Sequence, residues 1–238
     1  MAAVSVEQIE TLLEELRRRF EADYAANPVI AAVVEKAERG EATYADARRY
    51  ASEVDRLCGR ATADFTLRTS QGVDPAFYRD NFREFHAALL PNVLDRNYQL
   101  IADYCEKVQK GLNEGAGLGL KAQRVWQDQD RVTGIVKHVT RADSPEQAAQ
   151  RASTDVETLD QHYVDRSIQV NADFQWKAGL RPKIVRIGGA NCCEWCAEVE
   201  GAYDYPDVPK DVYRRHAHCT CDVEYDPADG KGQTQNVH

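Results

Sequence analysis

KIVRIGGANCCEWCAEVEGAYDYPDVPKDVYRRHAHCTCDVEYDP, residues 183–227, holds five of the seven cysteines of a 238-residue chain. They are Cys192, Cys193, Cys196, Cys219 and Cys221. Cys193-x-x-Cys196 is followed by twenty-two residues and then by Cys219-x-Cys221, with His216 and His218 just ahead. A C-x-x-C turn puts two thiolates on one side of a tight loop, and a second knuckle supplies the remaining ligands of a tetrahedral ion. Zinc suits a thiolate and imidazole set. The expected ligands are Cys193, Cys196 and Cys219, with His216 ahead of Cys221 for the fourth position. Cys192 and His218 are left as spares. A closed set of four leaves no place for a reacting water, so the zinc is expected to be structural. Roughly sixty residues make a small core, and bound zinc can add about 10 kcal/mol or more of folding free energy. The alternatives are buried free thiols or a redox pair, and the second wants a βαβ context that is missing here.

Around the cysteines the chain alternates between short elements. Lys183–Ile187 reads as a strand, Gly188-Gly189 as a turn and Cys193–Val199 as a short helix. Tyr203–Tyr205 and Cys221–Tyr225 alternate as half-buried strands do.

The preceding 175 or so residues read as helices. Val6, Ile9, Leu13, Leu16 and Phe20 form one apolar stripe. Asn27-Pro28 starts a helix over Val29–Arg39, and Gly40 stops it. Thr43 caps the next, with Asp46 in its first turn. Its apolar positions, Tyr44, Ala47, Ala51, Val54, Cys58, Ala61 and Phe65, make a helix–helix seam. Asp74-Pro75 opens another helix, which Pro91 is expected to break or restart. Leu94, Tyr98, Ile101, Cys105, Val108 and Leu112 continue the periodicity, so Cys58 and Cys105 are expected in the core. The glycine-rich run 111–119 has no preceding strand and no Gly-Lys-Ser/Thr, and is read as a helix cap and turn. Ser144-Pro145-Glu146-Gln147 is a capping box, and Asp155–Lys177 is helical up to Gly179. The expected fold is α+β and mainly α: an elongated helical body over 1–178, a small zinc-stapled α+β domain over 179–226 and a polar tail over 227–238.

Composition narrows the function. Thirty Lys and Arg stand against thirty-nine Asp and Glu, a net charge of −9. The chain as a whole is no basic polyanion-coating protein. No apolar run approaches the roughly 18 residues of a membrane helix, so no membrane partner is expected. MAAVSVEQIETLLEELRRRF lacks the pattern of a secretory signal. In a reducing compartment such a cysteine cluster more often binds metal than forms disulfides.

The same stretch resembles the C-terminal domain of phage head-morphogenesis proteins, the minor capsid proteins similar to the F protein of phage Mu. Their pattern of C-x-x-C, Gly-x-Tyr and His-x-x-Cys-x-Cys is present as Cys193/Cys196, Gly201/Tyr203 and His216/Cys219/Cys221. QKGLNEGAGLGLKA, DRVTGIVKHV, NADFQWKAGLRPKIVR and the terminal QNVH resemble the subgroup of tailed phages and prophages. The likeness covers most of residues 107–238. It implies a virion component made in the host cytoplasm, associated with the portal protein and the major capsid protein during assembly, and held inside the head in few copies. Some such proteins leave with the DNA, so a contact with packaged DNA is implied too. The residues themselves show no complete catalytic constellation, so no enzyme and no small-molecule substrate is expected.

Two other classes compete. A zinc ribbon that binds nucleic acid would use Arg181, Lys183, Arg186, Lys210, Arg214 and Arg215. Eight acidic residues between 181 and 225 outweigh these six, a balance of −2 and no footprint for phosphates. An enzyme reading rests on Glu198-x-Glu200, which resembles the paired glutamates of ADP-ribosyltransferases. The exposed face of a short helix is the plainer account. An HNH-type nuclease would need a histidine between the knuckles, and 197–215 has none. His86, His138 and His162 are expected at surface or satisfied interior positions, with His238 in the tail. Trp126, Trp176 and Trp195 are expected as packing anchors, Trp195 covering the metal knuckle.

Overall fold

The computed structural model describes residues 6–70, 75–190 and 192–226. The polar tail, with His238 and QNVH, and Asp74 lie outside the described residues, as do the side chains of Val6, Ile9 and Phe65. The described chain is mainly helical: α1 (Val6–Ala25), α2 (Pro28–Glu38), α3 (Tyr44–Ser70), α4 (Pro75–Gly115), α5 (Gln129–Thr140) and α6 (Pro145–Lys177). The C-terminal part holds β1 (Lys183–Ile187), α7 (Glu194–Glu198), β2 (Gly201–Asp204), a 3₁₀ turn (Lys210–Tyr213) and β3 (Asp222–Asp226). No helix among the described residues is long and apolar enough to cross a membrane.

The caps follow the sequence. Asn27 Oδ1 accepts from the amides of Val29 and Ile30 at 2.9 and 3.0 Å. Thr43 and Asp46 cap α3 reciprocally, the Thr43 amide donating to Asp46 Oδ2 at 3.1 Å. Ser144 Oγ accepts from the Gln147 amide, and Gln147 reaches back one residue further than expected, to the Asp143 amide. Gly40, at φ +69°, ends α2 in a left-handed turn that closes two backbone bonds onto Ala37 and Lys36.

Pro91 neither breaks nor restarts its helix: α4 runs through it for 41 residues. Pro91 and Asn92 are exposed, and the Asn92 side-chain amide donates to the Ala88 carbonyl at 2.9 Å. Water and a local polar group can thus serve the carbonyls that a proline disturbs. Likewise Ser144–Lys177 is not two stretches: α6 is one helix of 33 residues.

α6 is the central helix, packed on α3, α4, α5 and β3. Ala148, Ala152, Val156, Leu159, Tyr163, Ile168 and Ala172 line its buried side. The α3 seam from Tyr44 to Ala61 is buried as expected, and so are Leu94, Ile101, Cys105 and Val108 of α4. Leu16 and Phe20 of the α1 stripe join the same core. The segment 118–128 is irregular, and buried side-chain amides hold it. Asn113 donates to the Leu120 carbonyl at 2.9 Å, while Asn171 exchanges bonds with the Gln123 backbone at 2.8 and 3.0 Å.

The sheet is antiparallel with order β2-β1-β3. Its inner face follows from period two: Ile184 and Arg186 in β1, Cys221, Val223 and Tyr225 running into and along β3. Ile184, Val212, Val223 and Tyr225 belong to the same apolar core as the helices, and the Tyr225 ring meets Tyr44 edge-on at 6.3 Å. Helix gives way to sheet after residue 178, and the core runs across that point.

Candidate metal centre

The first knuckle is built by α7. Cys193 is its N-cap, and Cys193 Sγ accepts from the Cys196 amide at 3.4 Å. One helical turn then carries Cys196 inward, where it is fully buried. The second knuckle is a turn in which the Cys219 amide donates to the His216 carbonyl at 3.2 Å. Cys221 follows as the inward residue at the mouth of β3.

Gly188 and Gly189 do more than turn the chain. A Cβ on Gly189 would lie 2.2 Å from Thr220 Oγ1 and 2.6 Å from the Thr220 carbonyl. Only a bare backbone lets the β1 end approach the second knuckle so closely.

The donor atoms converge. His216 Nε2 lies 3.4 Å from Cys193 Sγ and 3.3 Å from Cys196 Sγ. Cys196 Sγ is 3.8 Å from Cys219 Sγ, and Cys192 Sγ is 3.9 Å from Cys221 Sγ. Metal–sulfur bonds near 2.3 Å and metal–nitrogen bonds near 2.0–2.1 Å set tetrahedron edges of about 3.8 and about 3.6 Å. The observed spacings are of that size. His216 Nδ1 is 2.7 Å from the Ala217 carbonyl. A carbonyl only accepts, so Nδ1 carries the proton and Nε2 presents its lone pair to the thiols, the arrangement of a metal-binding imidazole.

The expected four do not fall in one compact set. Two overlapping sets have all donors within 4.8 Å of one another: Cys193, Cys196 and His216, and Cys192, Cys196 and Cys221. Cys219 joins through Cys196. Cys192, set aside on spacing, is thus brought in. Its signal in the sequence was only adjacency to Cys193. His218 stays out: exposed and at φ 58°, it pairs with Glu157 at 3.0 Å.

Two arginines complete the surroundings. Arg186 is 1% exposed. Its Nη1 donates to the carbonyls of Val212 and Arg214 at 2.6 and 3.0 Å, and its Nη2 faces Cys196 Sγ and Cys219 Sγ at 3.5 and 3.7 Å. Arg215 forms a buried two-pronged ion pair with Asp165 of α6. Its remaining nitrogen donates to the Cys221 carbonyl at 2.6 Å and faces Cys219 Sγ at 3.9 Å. Arg48 of α3 pairs with Asp222 beside it. Guanidinium groups aimed at sulfur favour thiolates, the form that binds metal. Without a cation, burial pushes the Cys196 thiol up to about 12 against the pull of Arg186. Burial also opposes the Cys221 thiolate, but the Gly189 amide and neighbouring thiols hold it below the ordinary thiol value. The donor set and its surroundings could hold a metal ion.

Other sequence expectations separate. Trp195 is half-buried, edge-on to His216 at 6.2 Å and beneath the Arg186 guanidinium at 5.8 Å, so it covers the knuckle. Trp126 is 86% exposed and anchors nothing among the described residues, because the irregular segment 118–128 turns it to solvent. Trp176 is partly exposed and packs on Tyr205 at 6.1 Å. Glu198 and Glu200 are both exposed. His86 is buried beside Thr66 Oγ1 at 3.1 Å, and His138 is exposed and paired with Asp155 at 2.7 Å. Burial holds His162 down at about 4. Cys58 and Cys105 are core thiols, burial pushing Cys105 up to about 12. No family model, no curated protein and no solved structure matches this chain.

Proposed function

We propose that the cysteine cluster holds structural zinc and that the chain is a non-enzymatic minor head protein of a tailed phage. In this reading it docks on the portal inside the capsid, in contact with the portal protein and the major capsid protein. The observation that carries the zinc is the spacing of His216 Nε2 to two thiols with its other nitrogen tied to a backbone carbonyl. Ligands drawn from Cys193, Cys196, His216, Cys219 and Cys221 pin α7 and the 216–219 turn to the start of β3. The support for the head-protein role is the pattern of Gly201/Tyr203 and His216/Cys219/Cys221 around that centre. Virion localisation and a contact with packaged DNA belong to the same proposal.

The nucleic-acid alternative has less support. Of its six basic residues, Arg186 and the Arg215 side chain are buried, while Lys183 and Arg214 pair with Asp204 and Asp211. The enzyme alternative rests on Glu198 and Glu200, which are both exposed, and the thiol near Glu200, Cys192, belongs to the cysteine cluster.

The test is assembly. Procapsids made from the neighbouring head genes, with and without this chain, are analysed by mass spectrometry. Expected is recovery with portal-containing particles at few copies each. Absence from every particle, with turnover of a nucleotide or NAD substrate, contradicts the role and favours the transferase reading.

A further inference from the structure

The donors of the cluster are arranged around a sulfur rather than around a point in space. Cys196 Sγ has His216 Nε2 at 3.3 Å and Cys219 Sγ at 3.8 Å, and it shares one compact set with Cys193 and another with Cys192 and Cys221. One tetrahedral ion would draw four donors into a single set of mutual neighbours. Here each of two sets has that mutual closeness, within 4.8 Å, and they share Cys196 alone. A thiolate sulfur has lone pairs enough for two metal bonds.

We propose that the cluster binds two soft divalent ions bridged by the Cys196 thiolate. Cys193, Cys196 and His216 hold one, and Cys192, Cys196 and Cys221 hold the other. Cys219, beside Cys196, gives one of the two ions a fourth ligand and leaves the other with three protein ligands and a position for water. Two dications and five thiolates leave one negative charge, which Arg186, aimed at two of the sulfurs, lies in place to balance, Arg215 being already paired with Asp165. The inference gives Cys192 a role that a single site leaves without explanation. It rests on the metal reading proposed above.

The test uses the full chain, purified without chelator and supplied with zinc, with metal content read by elemental analysis and native mass spectrometry. Expected are two zinc ions per chain, falling to one in Cys192→Ser. One ion in the unaltered chain overturns the bridged pair and leaves the single structural zinc standing. No ion overturns both. Two ions that persist in Cys192→Ser put the second elsewhere and overturn the proposal. Should Cys192→Ser fail to fold, cobalt(II) titration of the unaltered chain decides. Thiolate-to-cobalt absorption that grows to two equivalents supports the pair, and growth that stops at one equivalent overturns it.

Discussion

Along α6 Tyr163, Val164, Ile168 and Ala172 are fully buried, with the carboxyls of Asp160 and Asp165 among them, while in residues 183–226 the buried groups around the cluster are the Arg186 guanidinium and the thiols of Cys196 and Cys221. The helices bury apolar area, a force roughly proportional to the surface removed from water. The cysteine-rich end buries charge and sulfur, which cost free energy unless each is partnered. The two meet along Ile184, Val212, Val223 and Tyr225. The contrast teaches that the C-terminal sheet borrows its apolar core from the helices and, in the metal-bound form proposed above, takes its own rigidity from the cluster. Substitutions in the two regions are therefore expected to respond differently to metal.

The largest effect belongs to Cys196→Ser. It removes the sulfur common to both donor sets, and with it most of the roughly 10 kcal/mol that bound zinc can supply. Expected are loss of bound metal and of β1–β3 order, with the far-ultraviolet helix signal largely kept. Retained zinc at the level of the unaltered chain breaks the contrast.

Next is the ion pair that joins the regions. Asp165→Ala leaves Arg215 buried and unpaired, at a cost of about 3–5 kcal/mol by denaturant unfolding. An apolar double replacement, Asp165→Leu with Arg215→Met, is expected to recover much of that loss. No recovery would mean that Arg215 acts mainly through its bonds to Cys221 and Cys219.

Ile168→Ala in α6 is expected to cost about 3 kcal/mol, as a buried truncation does. That cost should be the same with and without chelator, since no part of it passes through the cluster. A cost that appears only in the metal-loaded protein would merge the two regions.

The regions also differ in the sign of their pH response. Burial holds the Asp55 carboxyl up at about 7, with Glu157 adding to the effect, and burial raises Asp160 beside it well above the usual carboxylate range. Between about 4 and about 7 the unfolded chain has lost the Asp55 proton and the folded chain keeps it, so stability falls as pH rises through that window. Asp55→Asn should flatten this slope and stabilise the protein at pH 8 by at most about 4 kcal/mol. The cluster responds oppositely, because protons compete with metal for thiolates and imidazole. Metal release on acidification, while the helices hold, sharpens the contrast.

Much of the body was legible because burial repeats at the helical period. Tyr44 through Ala61 and Leu94 through Leu112 are seams of apolar type, and Asn27, Thr43 and Ser144 announce their helices by short-range caps. The polar interior of α6 carries no such signal. Asp160, Asp165 and Gln175 have side chains that normally mark a solvated face, and only their tertiary partners make them core. Arg186 and Arg215 enter the sequence only as part of the basic count between 181 and 225, and their tertiary partners make their side chains interior. The cluster was legible as residue types at knuckle spacing. That Cys192 joins it depends on the close backbone approach at Gly188-Gly189, which spacing does not encode. Pro91 misled because an exposed helix position can serve disturbed carbonyls with water.

The smallest effect is expected at Trp126. At 86% exposed it should change stability by no more than about 0.5 kcal/mol when replaced by alanine, with or without metal. A larger change would show that the segment 118–128 buries this ring.

The most direct measurement is amide hydrogen exchange of the full chain with and without a zinc chelator, read segment by segment. Expected is loss of protection in β1, α7 and β3 on chelation, with the α4 and α6 amides around Ile101 and Ile168 still protected. Equal protection of β1–β3 in both conditions would contradict a metal-held C-terminal sheet.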